Sequence, residues 1–352
     1  MLRLGEPGMC PVKVSQVLEK GYNYVVFLAH VSGTKCAVSV EGDSGTYNDH
    51  IRLYARINKM PEDDSVFLAK ADCYDAGNRE YVLSLVIPAN GLHVERELPN
   101  SRSGKHYGLI LTEYKGKTTL AHFMERKSRV PRRLIYSFAL QIAKIILLLA
   151  DKGYSHNNLN PCNIVINKTD RKEFMLNRTS INYHSYQLAA INYQKLLYKD
   201  HKSDPLPSAF VKDRKKWIFD ELRAACFPLF IGRDRTAAID SDQSMSMSGR
   251  TPVDLLAEIE RLPSERRWKF YQRAFRKMFR KEPRYCLEKI HRFLKVFPNA
   301  KPFYASIDDM DIEMSSSKLS TALSQLLSDT CPPAPFWDII TRVVEIYVLD
   351  FP

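Results

Sequence analysis

The run SHNNLNPCNIVI at 155–166 sets an imidazole, His156, two residues before an amide, Asn158, with a second amide, Asn163, five residues further on. An imidazole in such a loop can hold backbone, and the amides can donate and accept hydrogen bonds. No carboxylate is present, and a carboxamide cannot act as a general base near neutral pH. A second position of interest is Ser39, inside the strand-like run CAVSV at 36–40. Its hydroxyl has neither the charge nor the reach of an ammonium. The third feature is electrostatic. Between Arg266 and Lys301, thirteen Lys or Arg stand against Glu282 and Glu288, so this stretch carries about +11 of the chain's +12.

These groups have to be positioned by elements that the periodicity indicates. VSQVL, YVVFLAHV and CAVSV alternate apolar and polar residues between Gly21 and the SGT turn at 32–34, which predicts antiparallel strands. YNDHIRLYARINKM (47–60) spaces Ile51, Tyr54 and Ile57 for one face of a helix. FLAKADCY, EYVLSLVI and HYGLILTEY follow as strand-like runs, and the first 115 residues are expected to form a five-stranded sheet with one helix. From Leu120 the pattern turns helical: LAHFMERK, then Arg132 to Asp151 with Leu134, Phe138, Ile142, Ile145, Leu148 and Leu149 on one face. A mostly β half followed by a mostly α half implies an α+β protein of two lobes joined near KGKTT. The lobes are 1–111 and 120–352, with a hinge at 112–119. The Ser-rich, aromatic-poor stretch 232–252 is expected to be a mobile loop.

Composition excludes several classes. At 352 residues and 45% hydrophobic content, the chain is long enough for a real core. The most apolar run, ALQIAKIILLLA (139–150), is short for a membrane span and contains Lys144, so no membrane association is expected. The N-terminus lacks the apolar core of a signal peptide, and an intracellular location, cytoplasmic or nuclear, follows as the expectation. Seven scattered cysteines without a C-x-x-C pair argue for reduced thiols rather than zinc or redox work.

Taken in order, four segments resemble the protein-kinase fold. LEKGYNYVVFLA (18–29) is similar to the phosphate-covering hairpin through Leu18, Gly21, Val26, Phe27 and Ala29. CAVSV stands in the place of V-A-I-K. LILTEYKGKTTLAHFM (109–124) resembles the adenine-holding strand, hinge and helix, with Thr112 as gatekeeper and Glu113 to Lys115 as hinge. QIAKIILLLADKGYSHNNLNPCNIVI (141–166) resembles the helix leading to the catalytic loop. The resemblance implies a nucleotide pocket, here vestigial, built from Gly21, Val26, Ala37, Thr112, Glu113 and Tyr114.

Phosphoryl transfer needs positive charge on the phosphates, carboxylates for magnesium and a carboxylate to accept the substrate proton. On the resemblance, neutral groups stand at each station. Ser39 replaces the strand lysine, the following helix offers only Asp49 or His50 in place of its glutamate, and Asn158 replaces the catalytic aspartate. His156 and Asn163 are retained. The magnesium aspartate of D-F-G corresponds to Asn177 on ordinary spacing, or to Asn192 in Asn192-Tyr193-Gln194 if a longer insertion intervenes, as in haspin-like kinases; a divergent viral-type kinase is the other subfamily considered. Glu19 and Tyr24 occupy two of the three glycine positions of the first hairpin, where a carboxylate and a bulky ring should repel or obstruct a triphosphate. The resemblance with these losses implies a pseudokinase that binds or scaffolds a protein partner, with no cofactor and no metal. Losing a general base alone costs about 10²- to 10⁴-fold in rate.

Two alternatives stay open. One is a divergent active Ser/Thr kinase that uses ATP and magnesium, with Lys35 in place of the strand lysine. The other is a nucleic-acid-binding protein on a kinase scaffold. The basic segment 264–301, with Arg273, Arg276, Lys277, Arg280, Lys281 and Arg284, would contact nucleic acid or another acidic surface, if it is not simply the solvated face of helices compensated by Asp308, Asp309, Asp311 and Glu313.

Overall fold

The computed structural model describes residues 12–42, 45–89, 91–99, 107–126, 130–176, 179–193 and 196–198, together with 217, 218, 221, 222, 225, 226 and 229. These form two compact units. One comprises the residues up to Lys115 plus Ile191–Tyr198; the other begins at Gly116, runs to Ala190 and resumes after Tyr198. The stretch 232–252, the basic segment with Arg273, Arg276, Lys277, Arg280, Lys281 and Arg284, and Asn177 and Gln194 lie outside the described residues.

The first unit is α+β. Strands β1 (Val12–Lys20), β2 (Tyr24–Val31) and β3 (Thr34–Gly42) form a meander, because alternating Val, Phe and Ala residues present one apolar face: Val25, Phe27, Ala29, Cys36, Val38 and Val40 are all buried. After helix α1 (Gly45–Ile57) and the turn-like α2 (Glu62–Ser65) comes β4 (Ala71–Gly77). Then follow α3 (Arg79–Leu85), β5 (Val86–Pro88), α4 (Val94–Glu97) and β6 (Tyr107–Glu113). The sheet order is β4-β6-β3-β2-β1-β5. Every pairing is antiparallel except β1 with β5, where Val12 to Val14 align with Val86 to Pro88.

Three expectations are corrected here. Among the described residues, the sheet has six strands, not five, and the first unit has four helices, not one. Of the additional helices, α2 and α4 lie at 62–65 and 94–97, and α3 arises from EYVLSLVI, which is not a single strand. Asn78 accepts a hydrogen bond from the Tyr81 backbone N–H at 2.8 Å and so caps a helix start. Val82 and Leu85, three apart, then bury on one helical face before the chain extends at Val86. Together with Val94 and Leu98 they join Val12, Val14, Phe27 and Val38 in one core, so the segment after β4 covers the apolar face of the sheet. The third correction concerns α1. Its buried face is His50, Leu53, Tyr54 and Ile57, whereas Ile51 is 38% exposed. A titratable residue occupies the interior position assigned to Ile51.

The second unit opens with α5 (Leu120–Arg126) and α6 (Arg132–Asp151). Leu134, Phe138, Ile142, Ile145, Leu148 and Leu149 are buried as expected, and so are Ile135, Ala139, Ile146 and Leu147 on the other sides. The stretch Arg133–Asp151 has the length and apolar composition of a membrane span, yet 89% of it is buried within the protein. The short strand β7 (Tyr154–Ser155) leads into the 156–163 loop, followed by β8 (Ile164–Lys168). A hairpin of β9 (Glu173–Leu176) and β10 (Thr179–Asn182) intervenes before β11 (Tyr186–Ala190), which pairs antiparallel with β8. Gln141, fully buried on α6, ties these strands down: its amide nitrogen donates to Tyr186 O at 3.0 Å and its oxygen accepts from Leu188 N at 2.8 Å.

Candidate functional site

In the first unit the face of the sheet opposite the apolar core carries Val26, Leu28 and Ala37, all partly buried, with Ser39 and Glu41 further along β3. Ladder pairing sets Ala37 beside Leu28 on one side and Thr112 on the other, and Ser39 beside Val26 and Ile110. Thr112 shares a side-chain hydrogen bond with Tyr54 of α1. Burial holds the Tyr54 phenol far above its ordinary titration range.

Ser39 is 4% exposed, and its hydroxyl lies 3.4 Å from Oε1 of Glu41. The other carboxylate oxygen of Glu41 is 3.0 Å from Nδ1 of His50, and Nε2 of that ring is 2.7 Å from the carbonyl oxygen of Tyr193. Both side chains are 3% exposed or less. Thus β3, α1 and the segment after β11 meet at one buried acid–imidazole pair. The sequence reading named His50 only as a poor substitute for a glutamate; here it does join a strand–helix pair, with the acid on the strand and the base on the helix. Glu41 was missed because it stands two residues beyond the motif position. Its signal is a carboxylate at the buried end of an otherwise apolar strand. Asp49, the other candidate, is half-exposed and stands 4.0 Å from Arg52.

The β1–β2 turn closes on itself. The Gly21 backbone N–H donates to Tyr24 O at 2.9 Å, and the Tyr24 ring lies so near that a Cβ at position 21 would meet it at 2.2 Å. The Tyr24 hydroxyl donates to Glu19 Oε1 at 2.7 Å, and Asn192 Nδ2 donates to Glu19 Oε2 at 2.5 Å. Asn192 holds a left-handed backbone, φ 63°, immediately after β11. Asn192 therefore meets the hairpin at Glu19, and Tyr193 beside it packs edge-on against Tyr54 at 5.7 Å between ring centroids. The two residues that break the glycine pattern fill the space between hairpin and Asn192 with a carboxylate and a phenol.

Lys35 is exposed at the start of β3, its ammonium 4.3 Å from the centroid of the Tyr114 ring. Ser39 stands four strand positions further on, about 13 Å of extended chain. Glu113 pairs with Lys115 at 2.7 Å.

In the second unit, Gly116 (φ 145°) lets the chain pass over β8: a Cβ there would meet Asn167 Oδ1 at 2.5 Å and the Val165 side chain at 2.9 Å. His156 is fully buried, and Asn158 is half-buried. The backbone carbonyl of Asn158 accepts from Asn163 Nδ2 at 2.8 Å and from Asn160 Nδ2 at 3.0 Å. Asn160 also caps the single turn Pro161–Asn163, its side chain accepting from Cys162 N at 2.9 Å. Glu221 completes the loop: it accepts from Ser155 Oγ at 2.8 Å and from the Asn157 backbone N–H at 2.9 Å, where Asn157 takes φ 55°. Glu221 is distant in sequence and belongs to no motif, so nothing local marks it. The loop is thus fully braced by amides and one carboxylate that faces its backbone. Among the described residues, no group of three or more His, Cys, Asp or Glu is placed to hold a metal ion.

No protein-family model matches the chain. Serine/threonine-protein kinase ULK3 of Xenopus laevis is 30% identical over 80 residues, which is 23% of this chain. That match spans 17% of the length of the kinase. A distant, partial relation to protein kinases is the extent of the likeness.

Proposed function

We propose that this chain is a two-lobed, kinase-like protein without phosphoryl-transfer activity, which acts as a binding or regulatory module. The partial identity to a serine/threonine kinase supports the kinase-like half of this reading. The observation that carries the other half is the buried Glu41–His50 pair beside Ser39. A pocket meant for phosphates needs fixed positive charge where they lie. Here the strand contributes a hydroxyl and a carboxylate, and the carboxylate of Glu19 sits under the hairpin against Asn192.

On this reading Asn192 takes the place of the magnesium aspartate, because it stands two residues past β11, the strand that pairs with β8, whereas position 177 lies ahead of that strand in the chain. The haspin-like insertion is then the β9–β10 hairpin. The test is phosphoryl transfer by the purified chain, with radiolabelled ATP, magnesium or manganese, and generic protein substrates. Transfer at background level is expected. Robust transfer that disappears in Lys35→Ala would refute the reading.

A second reading, a divergent active Ser/Thr kinase, takes its support from the same identity to a serine/threonine kinase. It requires Lys35 to reach the phosphates, and Lys35 is engaged with Tyr114. The basic residues Arg273, Arg276, Lys277, Arg280, Lys281 and Arg284 are proposed to engage an acidic protein or nucleic acid. Binding of that kind should weaken steeply with salt and should be lost when Arg276, Lys277, Arg280 and Lys281 are neutralised.

A further inference from the structure

His50 stands between two acceptors. Nδ1 faces a carboxylate at 3.0 Å and Nε2 faces a backbone carbonyl at 2.7 Å, and neither the ionised acid nor the carbonyl can donate. Satisfying both contacts at once requires a proton on each ring nitrogen, or one shared between Glu41 and Nδ1. In either form the pair holds one proton more than a carboxylate beside a neutral imidazole.

From this geometry we propose that Glu41 and His50 form a proton-operated latch, which binds the backbone of Tyr193 to α1 while the pair is protonated and releases it when that proton leaves. The direction of release follows from the strengths of the two bonds. A neutral imidazole keeps a single N–H, and a bond to an anion is roughly twice as strong as one to a neutral acceptor. The proton stays on Nδ1 toward Glu41. Nε2 then presents a lone pair to the Tyr193 carbonyl, and two acceptors 2.7 Å apart repel. The segment at 191–193 keeps other tethers, Asn192 to Glu19, the Tyr193 side chain to the Ala69 backbone and its ring against Tyr54, so release is local.

The surroundings confine the titration to this pair. The neighbouring groups are Asp49 on α1 and, around Glu41, Tyr47 and Tyr54 of α1 and Cys73 of β4, with Asp75 near Tyr47. Burial pushes both tyrosines above the range of ordinary pH, and it pushes Cys73 to about 12, with the charges of Glu41 and Asp72 adding to the effect. For His50, burial acts to lower the pKa. The hydrogen bond and charge of Glu41, followed by the Tyr193 carbonyl and Asp49, outweigh it and set His50 above the usual histidine range. The latch is therefore closed below the ordinary histidine range and opens as pH rises through the raised His50 midpoint. The proposal does not depend on whether the chain transfers phosphate.

The experiment is hydrogen exchange of peptides covering 191–198 in the full chain as a function of pH, corrected for intrinsic exchange, alongside nitrogen NMR of the histidine rings. In the unmodified protein, opening should become about tenfold more frequent per pH unit between the ordinary histidine range and the raised His50 midpoint, and should level off above it. In Glu41→Gln that midpoint should fall by about 1–3 pH units, the usual effect of an adjacent opposite charge. In His50→Gln the pH dependence should vanish. A midpoint unmoved in Glu41→Gln, or pH-independent protection in the unmodified chain, would overturn the proposal. If the variants do not fold, the NMR decides: two protonated ring nitrogens, or a proton shared with Glu41, at pH 6 support the latch, and a plain neutral imidazole there refutes it.

Discussion

Removing one member of the Glu41–His50 pair is expected to be far more damaging than removing both. In His50→Leu the carboxylate of Glu41 stays in a site where it is 3% exposed, next to the Ser39 hydroxyl at 3.4 Å but without its cationic partner. The Tyr193 carbonyl loses one of its two contacts at the same time and keeps the bond from the Leu196 backbone N–H at 2.9 Å. Stripping one partner from a buried pair costs about 3–5 kcal/mol, whereas replacing both with apolar residues of similar volume is often neutral. The double variant Glu41→Leu/His50→Leu should therefore recover most of the loss, giving a coupling energy of about 2 kcal/mol or more. Urea denaturation followed by fluorescence and far-UV circular dichroism would measure each corner of the cycle. The pH dependence has a definite sign. His50 has its folded pKa above the unfolded value, so its contribution is fully present below about pH 6.5 and is lost as pH rises through the folded pKa. Single variants that each cost under about 1 kcal/mol and simply add in the double would show that no buried pair is at work.

Other perturbations test neighbouring parts. Glu19→Gln keeps the shape but removes the charge that Tyr24 and Asn192 both contact, and thermal denaturation should show a loss of about 1 kcal/mol. Glu221→Ala strips two bonds from the 155–157 loop and should cost about 3 kcal/mol, with faster hydrogen exchange at Asn157. Gly116→Ala forces a Cβ onto Asn167 and Val165 at φ 145°, a loss of about 1–3 kcal/mol visible in the same denaturation. Cys36, buried and with its thiol pushed by burial to about 11, should resist iodoacetamide at pH 7.5 in the native protein and react once urea unfolds it.

Much of the scaffold was legible because its cause is local. The β1–β2–β3 meander follows from period-two alternation punctuated by turns, and α6 runs over the predicted residues 132–151. EYVLSLVI was misjudged because its β-branched residues fit either period, and the Asn78 cap that decided the matter lies just before it. His50 was passed over as a core position because a helical face is read from apolar residues, and an imidazole becomes interior only when a carboxylate from another element meets it. Glu41 and Tyr193, 143 residues from His50 in the latter case, are brought there by tertiary structure alone. The roles of Glu19 and Glu221 likewise depend on partners 173 and 66 residues away, a separation that no local pattern encodes.

On the proposed reading, the hairpin and β3 present carboxylates and a hydroxyl where a metal-bound triphosphate would need cations. An ATP titration followed by thermal shift, with and without magnesium, tests this most directly. An unchanged melting temperature across the titration is expected in both conditions. Magnesium-dependent stabilisation approaching 2.7 kcal/mol at about a hundred times the apparent dissociation constant would contradict it.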